Sequence, residues 1–354
     1  MKLEEPDDEE SIGDVIRMMK RVRLSRLGHR PSESMTDVVS PSKPPSKLLY
    51  ALPPGLADEP PKDVLEEFRE WFKNGILKRT HSGKRPPRYS PKHNTLDKPH
   101  DLGCMLVEKK SWYYELATSP VWLWDEHIDV AFHYLKKKIR QFPKLKQRKV
   151  TTVGTFFSAK VCSLWTIYQA TPDKFDWGCC DSIFRIMLGV RVQSGASWFD
   201  VNTVLMPIYL GDLKHWALVK LELTNWTIEV YDSLQHEGPH NSKVRVGVEG
   251  LSKFIPLLAE KNSLFEFKPR DPPGNYSIPV TIMKYIHQQA NGGDCGMFTI
   301  KNIECLIEGR DVRYWVIDAR MQIFREWLAC YLWSHSNRKL DQTYKSDDDG
   351  ETDF

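Results

Sequence analysis

The chain has 354 residues, of which 41% are hydrophobic and 27% charged, and its formal net charge at pH 7 is +3. This length accommodates one large domain or two ordinary ones, and the apolar fraction suffices for a sizeable core. So small a net charge does not require nucleic acid as a partner of the whole chain. The opening MKLEEPDDEE lacks a basic-then-apolar signal pattern, and no run approaches 18 apolar residues, so neither secretion nor a membrane span is expected.

The cysteines also limit the class of protein. They are odd in number and include no C-x-x-C pair, which argues against a disulfide framework and against a zinc ribbon. A reducing compartment, the cytosol or the nucleus, is therefore expected. The seven are Cys104, Cys162, Cys179, Cys180, Cys295, Cys305 and Cys330.

Composition predicts that residues 1–100 are largely disordered. Residues 31–62 are rich in Pro and Ser and are typical of a linker. One short helix is expected in DVLEEFREWFKNGI, which we interpret as an isolated element of a mobile arm. Its apolar residues recur at helical spacing, at Leu65, Phe68, Trp71 and Phe72.

Charge is concentrated near the end of this region. Residues 73–98 carry eight Lys or Arg residues against the single acidic residue Asp97. The clusters Lys78-Arg79 and Lys84-Arg85-Pro-Pro-Arg88 resemble a bipartite nuclear-localisation signal, and a solvated basic linker is the alternative. The same arm is a candidate for nucleic-acid contact. At the other end, residues 336–354 are polar and acidic and predict a disordered tail.

Residues 101–335 have the periodicity of a folded α+β domain. The stretch 119–142 predicts an amphipathic helix that Ser119-Pro120 starts. LMPIYLG, HWALVKLEL and WTIEVYDSL are apolar on both faces, which predicts central strands of a covered sheet. Two further helices are expected near 295–308 and 318–334.

Two polar residues bracket the last two predicted strands. His215 opens one strand and Asp232 closes the next, and their midpoint falls at Leu223-Thr224, where a turn is expected. The two residues would then be near-opposite on one face, with Cβ atoms about 4.5 to 5.5 Å apart. A carboxylate there can hold the imidazole. The alternative is a surface histidine at a strand end and an aspartate that only forms the turn.

Cys295 lies between a Gly-Gly-Asp turn and an apolar run of helical period. Gly292 and Gly293 permit a tight backbone, and Asn291 or Asp294 can cap the helix that follows. A thiol on the first helical turn meets unpaired N–H groups and the positive end of the dipole, both of which favour the thiolate. A buried structural cysteine is the alternative.

Neighbours of Cys295 suit an acyl-transfer site. Gly296 leaves room beside the sulfur for an approaching backbone. Gln288 or Gln289, six or seven residues upstream, can join the Cys295 N–H in stabilising an oxyanion.

These residues together match a family. His-Trp at 215–216, Tyr-Asp-Ser-Leu at 231–234 and Gln-x-x-x-x-Asp-Cys-Gly at 289–296 resemble the catalytic domain of the SUMO-specific (sentrin- or ubiquitin-like-protein-specific) cysteine proteases. Trp-Leu-Trp-Asp at 122–125 is similar to the Trp-Leu-x-Asp segment of that family. The order His, Asp, Gln, Cys agrees, whereas papain-type enzymes place Cys first. The resemblance covers most of residues 110–335 and is strongest to divergent plant members associated with mobile elements.

The resemblance implies an adenain- or papain-like fold, with a central mixed sheet flanked by helices, and a role for each matching residue. Cys295 is the implied nucleophile, His215 the general base and acid, Asp232 the residue that orients the imidazole, and Gln289 the oxyanion donor. Trp122 and Trp216 are the implied walls of a channel that admits Gly-Gly and excludes larger residues. The spacing from Asp232 to Cys295 is longer than in the family, and QSGASWFDVNT reads as an insertion before the histidine strand.

The implied activity is cleavage after the C-terminal Gly-Gly of SUMO or a related ubiquitin-like modifier, either in precursor processing or in release from a lysine. No cofactor is expected, the partners are the modifier and its conjugates, and the location is the nucleus, the cytoplasm or both. Two alternatives stay open. One is an acetyltransferase on the same fold. The other is a catalytically idle module, from a mobile-element protein, that binds a modifier or uses its basic arm on DNA.

Overall fold

The computed structural model describes residues 59–77, 88–190, 195–234, 238–268 and 274–340. Several sequence predictions lie outside these residues: nearly all of the Pro- and Ser-rich stretch, the basic clusters at 78–79 and 84–85, and the acidic tail beyond 340. None of the helices in the described ranges is both long and apolar enough to cross a bilayer.

A five-stranded mixed sheet forms the centre of the fold, in the order β5-β6-β7-β8-β9. The inner pairs β6-β7 and β7-β8 are antiparallel, and the outer pairs β5-β6 and β8-β9 are parallel. Two small antiparallel pairs, β1-β2 and β3-β4, precede it in the chain. The strands are β1 Ile76–Leu77, β2 Arg88–Tyr89, β3 Thr95–Asp101, β4 Leu106–Lys109, β5 Val150–Thr152, β6 Thr203–Leu210, β7 His215–Glu222, β8 Thr227–Tyr231 and β9 Val280–Ile282.

Helices cover both faces of this sheet. Those of eight or more residues in the described ranges are α1 Lys62–Lys73, α2 Lys110–Ala117, α3 Asp125–Gln141, α4 Thr155–Ala170, α5 Asp181–Leu188, α6 Pro239–Lys261, α7 Cys295–Glu308 and α8 Met321–Lys339. Single-turn helices at Pro91–Asn94, Pro143–Lys146 and Val312–Trp315 join them.

Alternate residues of the central strands serve two separate cores. On β7, Trp216 and Leu218 belong to the core built with α3, α7 and α8. Ala217 and Val219 belong to the core built with α4, α5 and α6. Because successive side chains of a strand point to opposite faces, a strand buried on both sides reads as a continuous apolar run. The prediction of α+β architecture with covered central strands is therefore confirmed.

The helices predicted near 295–308 and 318–334 are confirmed as α7 and α8. The predicted start of the helix in 119–142 at Ser119-Pro120 is wrong, because α3 begins at Asp125. Asp125 and Glu126 occupy its first turn, where carboxylates meet the positive end of the helix dipole. The residues before it form an irregular segment, which leaves Trp122 and Trp124 outside the helix.

The helix predicted as isolated, α1, is part of the packed body. Leu65 and Phe68 are buried in the core that contains α8. The Phe68 ring lies 5.7 Å from that of Trp333 on α8, and Arg69 makes a bidentate ion pair at 2.7 Å with Glu326 of the same helix. The packed body therefore begins earlier in the chain than residue 101.

A buried charge network ties α3 to α7. Lys138 of α3 lies 2.5 Å from Glu308 and 3.5 Å from Glu304, both on α7, and Glu304 also pairs with Lys301. All four side chains are at most 9% exposed. Because buried charges are costly unless paired, this network fixes α7 relative to the rest of the fold.

Replacing Phe68 with Ala tests whether α1 belongs to the folded body. Loss of a buried aromatic side chain is expected to lower the free energy of unfolding by about 3 to 5 kcal/mol. Urea denaturation followed by circular dichroism measures it. Glu66→Ala, on the exposed side of the same helix, is the matched control. Equal unfolding midpoints for the two variants would show that α1 does not contribute to the core.

Candidate active site

His215 and Asp232 form a buried hydrogen-bonded pair at one end of the sheet. His215 Nε2 lies 2.7 Å from Asp232 Oδ1, and both side chains are at most 1% exposed. The predicted contact is present, but the predicted register is not. The β7-β8 pairing joins Leu218 to Tyr231 and, extended, sets Asp232 opposite Ala217. The pair is therefore diagonal on one face, because the connecting loop occupies four residues.

The Asp232 carboxylate accepts three hydrogen bonds. Besides His215, the Leu234 N–H donates to Oδ1 at 2.8 Å and His240 Nε2 lies 2.7 Å from Oδ2. Burial raises the pKa of this carboxyl, but the hydrogen bonds to His215 and His240 outweigh it and hold the pKa below its usual range. Asp232 is therefore a buried carboxylate, stabilised by N–H donors from separate segments.

Cys295 is the first residue of α7 and is 1% exposed. Its sulfur is close enough to the His215 side chain to act as a hydrogen-bond partner that raises the pKa of the imidazole. Because Nε2 of that ring is bound to Asp232, the nitrogen left for the sulfur is Nδ1. The tertiary structure thus brings the three residues of the predicted constellation together, with the thiol at a helix N-terminus.

The two partners change the acidity of the histidine. Burial lowers the pKa of His215, yet the hydrogen bonds to Asp232 and Cys295 and their negative charge raise it overall, to about 9. The imidazole is therefore protonated at neutral pH. A charged imidazole beside a thiol is the arrangement that activates cysteine nucleophiles.

Arg325 of α8 organises the backbone around the cysteine. Its side chain is fully buried and its Nε lies 2.7 Å from Oδ1 of Asp294, the residue before Cys295. Its terminal nitrogens donate to five carbonyl groups, those of Glu115, Leu116, Thr118, Val121 and Gly293. One guanidinium therefore joins the segment before α3 to the turn before α7.

The close approach of these two segments leaves no room for a side chain at Gly293. A Cβ there would lie 1.7 Å from the Pro120 carbonyl oxygen, whereas one on Gly292 would meet nothing within 4 Å. Asn291 closes the same turn, because its Oδ1 accepts from the N–H groups of Gly293 and Asp294. Of the two glycines predicted to permit the turn, Gly293 is the one that the packing requires.

The two candidate oxyanion residues have different environments. The Gln289 backbone N–H donates to the Ser233 carbonyl at 2.8 Å, and its side chain binds Ser233 Oγ and the Asn291 carbonyl. These bonds join the end of β8 to the turn before Cys295. Gln288 instead directs its amide to the carbonyl groups of Asp232 and Ile286. Of the two side chains, Gln289 is the one hydrogen-bonded to the turn that leads to Cys295.

An aromatic groove of about 660 Å³ lies beside the site. Trp122 and Trp216 both line it, with the Tyr209 ring between them at 6.1 and 5.2 Å. Trp216 is held by a hydrogen bond of 3.0 Å from its Nε1 to the Leu123 carbonyl. Trp124 and Phe156, about half exposed, widen the mouth. The two predicted wall residues therefore share one surface.

The expected space beside Gly296 is occupied by the protein itself. A Cβ on this residue would lie 2.8 Å from the Leu123 Cβ, and Gly296 is buried. Its small size therefore allows α7 to pack against the segment that carries Trp122, rather than leaving room for a substrate backbone.

No group of three or more His, Cys, Asp or Glu side chains in the described part of the chain is arranged to hold a metal ion. The site is built from hydrogen bonds and ion pairs between its own residues.

Three contributors to the site were not predicted from the sequence: Tyr209, His240 and Arg325. His240 follows a strand end, where an ordinary loop residue is expected. Only Arg325 had a local signal. It shares a helical face with Met321 and Leu328, so a charged residue interrupts an apolar stripe. Such a position predicts a buried charge with a partner elsewhere in the chain.

The histidine pKa gives a pH prediction. NMR titration of His215 is expected to show a midpoint near 9, and Asp232→Asn should lower it because a raising partner is lost. The pKa of His215 in the folded protein is higher than the ordinary value of 6.5. Its contribution to the free energy of unfolding is therefore complete below pH 6.5 and is lost as the pH rises through about 9. A midpoint at or below 6.5 in the wild type would contradict the paired geometry.

Paired glycine variants test the turn. Gly293→Ala is expected to destabilise the fold and slow alkylation of Cys295, because the new methyl group displaces the Pro120 carbonyl. Gly292→Ala faces open space and should change neither property. Thermal unfolding and mass-spectrometric alkylation rates measure both. Similar behaviour of the two variants would argue against the close approach at Gly293.

Comparisons with known proteins agree with this geometry. Residues 121–337 match the family described as the Ulp1 protease family, C-terminal catalytic domain. Human sentrin-specific protease 5 is 29% identical over 176 residues, which cover 47% of this chain and 21% of that protein. The Arabidopsis thaliana ubiquitin-like-specific protease ESD4 is 26% identical over 195 residues, covering 55% and 34%. The chain thus spans about a fifth to a third of the length of these relatives.

A solved structure supports the fold. The C-terminal Ulp1 protease domain in complex with Smt3, the yeast ortholog of SUMO, superimposes with a TM-score of 0.50 at 15% identity. The match covers 80% of this chain and 99% of that one. Because the matched family region contains β5 to β9, α7 and the His215, Asp232 and Cys295 positions, the chain belongs to the Ulp1 protease family, whose C-terminal catalytic domain it carries.

Proposed function

We propose that this chain is a cysteine protease that cleaves after the C-terminal Gly-Gly of SUMO or a related ubiquitin-like modifier. The observation that carries the proposal is that the His215 ring has two partners. Its Nε2 is hydrogen-bonded to Asp232, and its other side faces the Cys295 sulfur. Membership of the Ulp1 family supports the reaction type. The sentrin-specific relatives and the Smt3-bound Ulp1 domain support the class of substrate.

The residues divide the reaction between them. The Cys295 thiolate attacks the carbonyl carbon of the terminal glycine, and the resulting oxyanion collapses with loss of the amine. His215, charged at neutral pH, supplies the proton that the leaving amine takes. It then removes a proton from the water that hydrolyses the thioester. Asp232 holds the ring in the tautomer and orientation that both steps need.

The oxyanion is assigned to Gln289 and the Cys295 backbone N–H. A Gln side-chain amide carries two N–H donors, and one of them is engaged by the Asn291 carbonyl at 2.6 Å. The other is the donor for the developing charge. The Ser233 hydroxyl, bound to Gln289 Oε1 at 2.9 Å, fixes which end of the amide faces the site.

The groove accounts for selection of a glycine tail. Trp122, Tyr209 and Trp216 form a continuous aromatic wall beside the thiol-bearing helix. An extended backbone lying against such rings gains contact area only if it carries no bulky side chains, which favours Gly-Gly. Precursor processing and release from a lysine use the same groove, so both belong to the proposal.

We place the protein in the nucleus, the cytoplasm or both. Two features support this location: the two basic clusters within residues 78–88 and the odd number of cysteines. The basic arm is retained as a candidate for nucleic-acid contact.

A fluorogenic assay tests the proposal. SUMO and ubiquitin bearing a C-terminal fluorogenic amide are incubated with the wild type, Cys295→Ala and Gln289→Ala. We expect release by the wild type, none by Cys295→Ala, and a kcat about 100-fold lower for Gln289→Ala.

Leu306→Ala, on α7 but distant from its first turn, is the control for damage to the helix. Equal release by wild type and Cys295→Ala would reject the nucleophile. Transfer of an acetyl group from acetyl-CoA to Cys295, without release from either modifier, would favour the acetyltransferase alternative. Binding of a modifier without turnover would favour the idle module.

A further inference from the structure

We propose that His240 is a positioning residue for the reaction, which holds the second oxygen of Asp232 and so orients the carboxylate toward His215. The inference rests on the proposed function. It adds a fourth member to the constellation, one that acts through Asp232 and is absent from the side chains that line the groove.

The Asp232 carboxylate is fixed from three directions. His215 on β7 and the Leu234 N–H in the turn after β8 both bind Oδ1, at 2.7 and 2.8 Å. His240 on α6 lies 2.7 Å from Oδ2. Rotation about the Cβ–Cγ bond moves both oxygens together. The bond from His240 to Oδ2 therefore opposes, in addition to the two bonds on Oδ1, any rotation that would lengthen the contact with His215.

The fold places His240 there for local reasons. Gly238, at φ +73°, turns the chain, Pro239 starts α6, and His240 is the second residue of that helix. Side chains of a first helical turn point back toward its N-terminus. Asp232 shares the strand face that packs against α6, because Val230 belongs to the core containing that helix. The imidazole and the carboxylate therefore meet at the same edge.

The proton positions follow from the partners. Asp232 is ionised near neutral pH, because its hydrogen bonds hold its pKa below the usual range. Both histidine Nε2 atoms must then be donors, since a carboxylate only accepts. The two rings lie 6.5 Å apart, one on each oxygen. The groups that face the carboxylate are thus His215 from β7, His240 from α6 and the Leu234 N–H.

Removal of the His240 donor has two effects on the site. Oδ2, in a residue with no exposed surface, loses its partner, and a buried acceptor without a donor is costly. The carboxylate then rotates to recover a partner, which weakens its bond to His215. His240 itself is 8% exposed and is absent from the side chains that line the groove. The expected defect therefore falls on the chemical step and spares substrate binding.

The test compares His240→Leu, which removes the donor, with His240→Gln, whose amide nitrogen reaches about as far as Nε2. The first readout is kcat and KM on the fluorogenic SUMO amide. The second is the rate of Cys295 alkylation by iodoacetamide over a pH series that spans the His215 titration. Thermal unfolding is measured for each variant, and His240→Met serves as a second donorless variant if the Leu protein does not fold.

We expect kcat of His240→Leu to fall about tenfold or more with KM changed less than about twofold, and His240→Gln to recover most of the loss. The upper inflection of the alkylation profile, which reports deprotonation of His215, should move to lower pH in the donorless variants alone. An unchanged kcat, an inflection that does not move or moves upward, or a Gln variant as impaired as the Leu variant would overturn the inference.

Alkylation separates this inference from the proposed function. If the wild type releases nothing from SUMO or ubiquitin, the protease assignment fails, yet the alkylation profiles of the His240 variants still decide whether His240 orients the pair.

Discussion

The ion pair between Arg325 and Asp294 determines where the cysteine lies. Arg325 reaches from α8 to the residue before Cys295, and its remaining donors hold the carbonyl groups of the segment that leads to Trp122. A buried guanidinium is costly unless its donors and its charge are matched, so the loss of one of these partners would destabilise the whole set. Cys295, the proposed nucleophile, and one wall of the groove are consequently positioned by the same side chain.

The charges of the proposed catalytic residues are likewise compensated by partners within the fold. The sheet end contributes a carboxylate and an imidazole, and α7 contributes the N-terminus that carries the thiol. The Asp232 carboxylate is surrounded by N–H donors from His215, Leu234 and His240. In a site with little solvent access these interactions are stronger than in water, and their geometry sets the acidity of His215.

Local sequence patterns predicted the elements well where burial is simple. Continuous apolar runs identified β6, β7 and β8, and helical periodicity identified α7 and α8. The start of α3 was wrong because Arg325 holds the preceding residues in irregular backbone. The role of α1 was missed because an amphipathic helix flanked by Pro- and Ser-rich sequence carries no information about the α8 surface that covers it.

The sequence by itself determined which residues are proposed to carry the chemistry: a histidine and an aspartate at the ends of adjacent strands, and a cysteine after a glycine turn. These are encoded by residue type and short-range spacing, which strands and helices convert directly into position. Only the tertiary structure decided that Leu123 fills the space at Gly296 and that His240 binds Asp232. Both contacts join residues on separately packed elements, and such contacts depend on how α3 and α6 dock rather than on any local pattern.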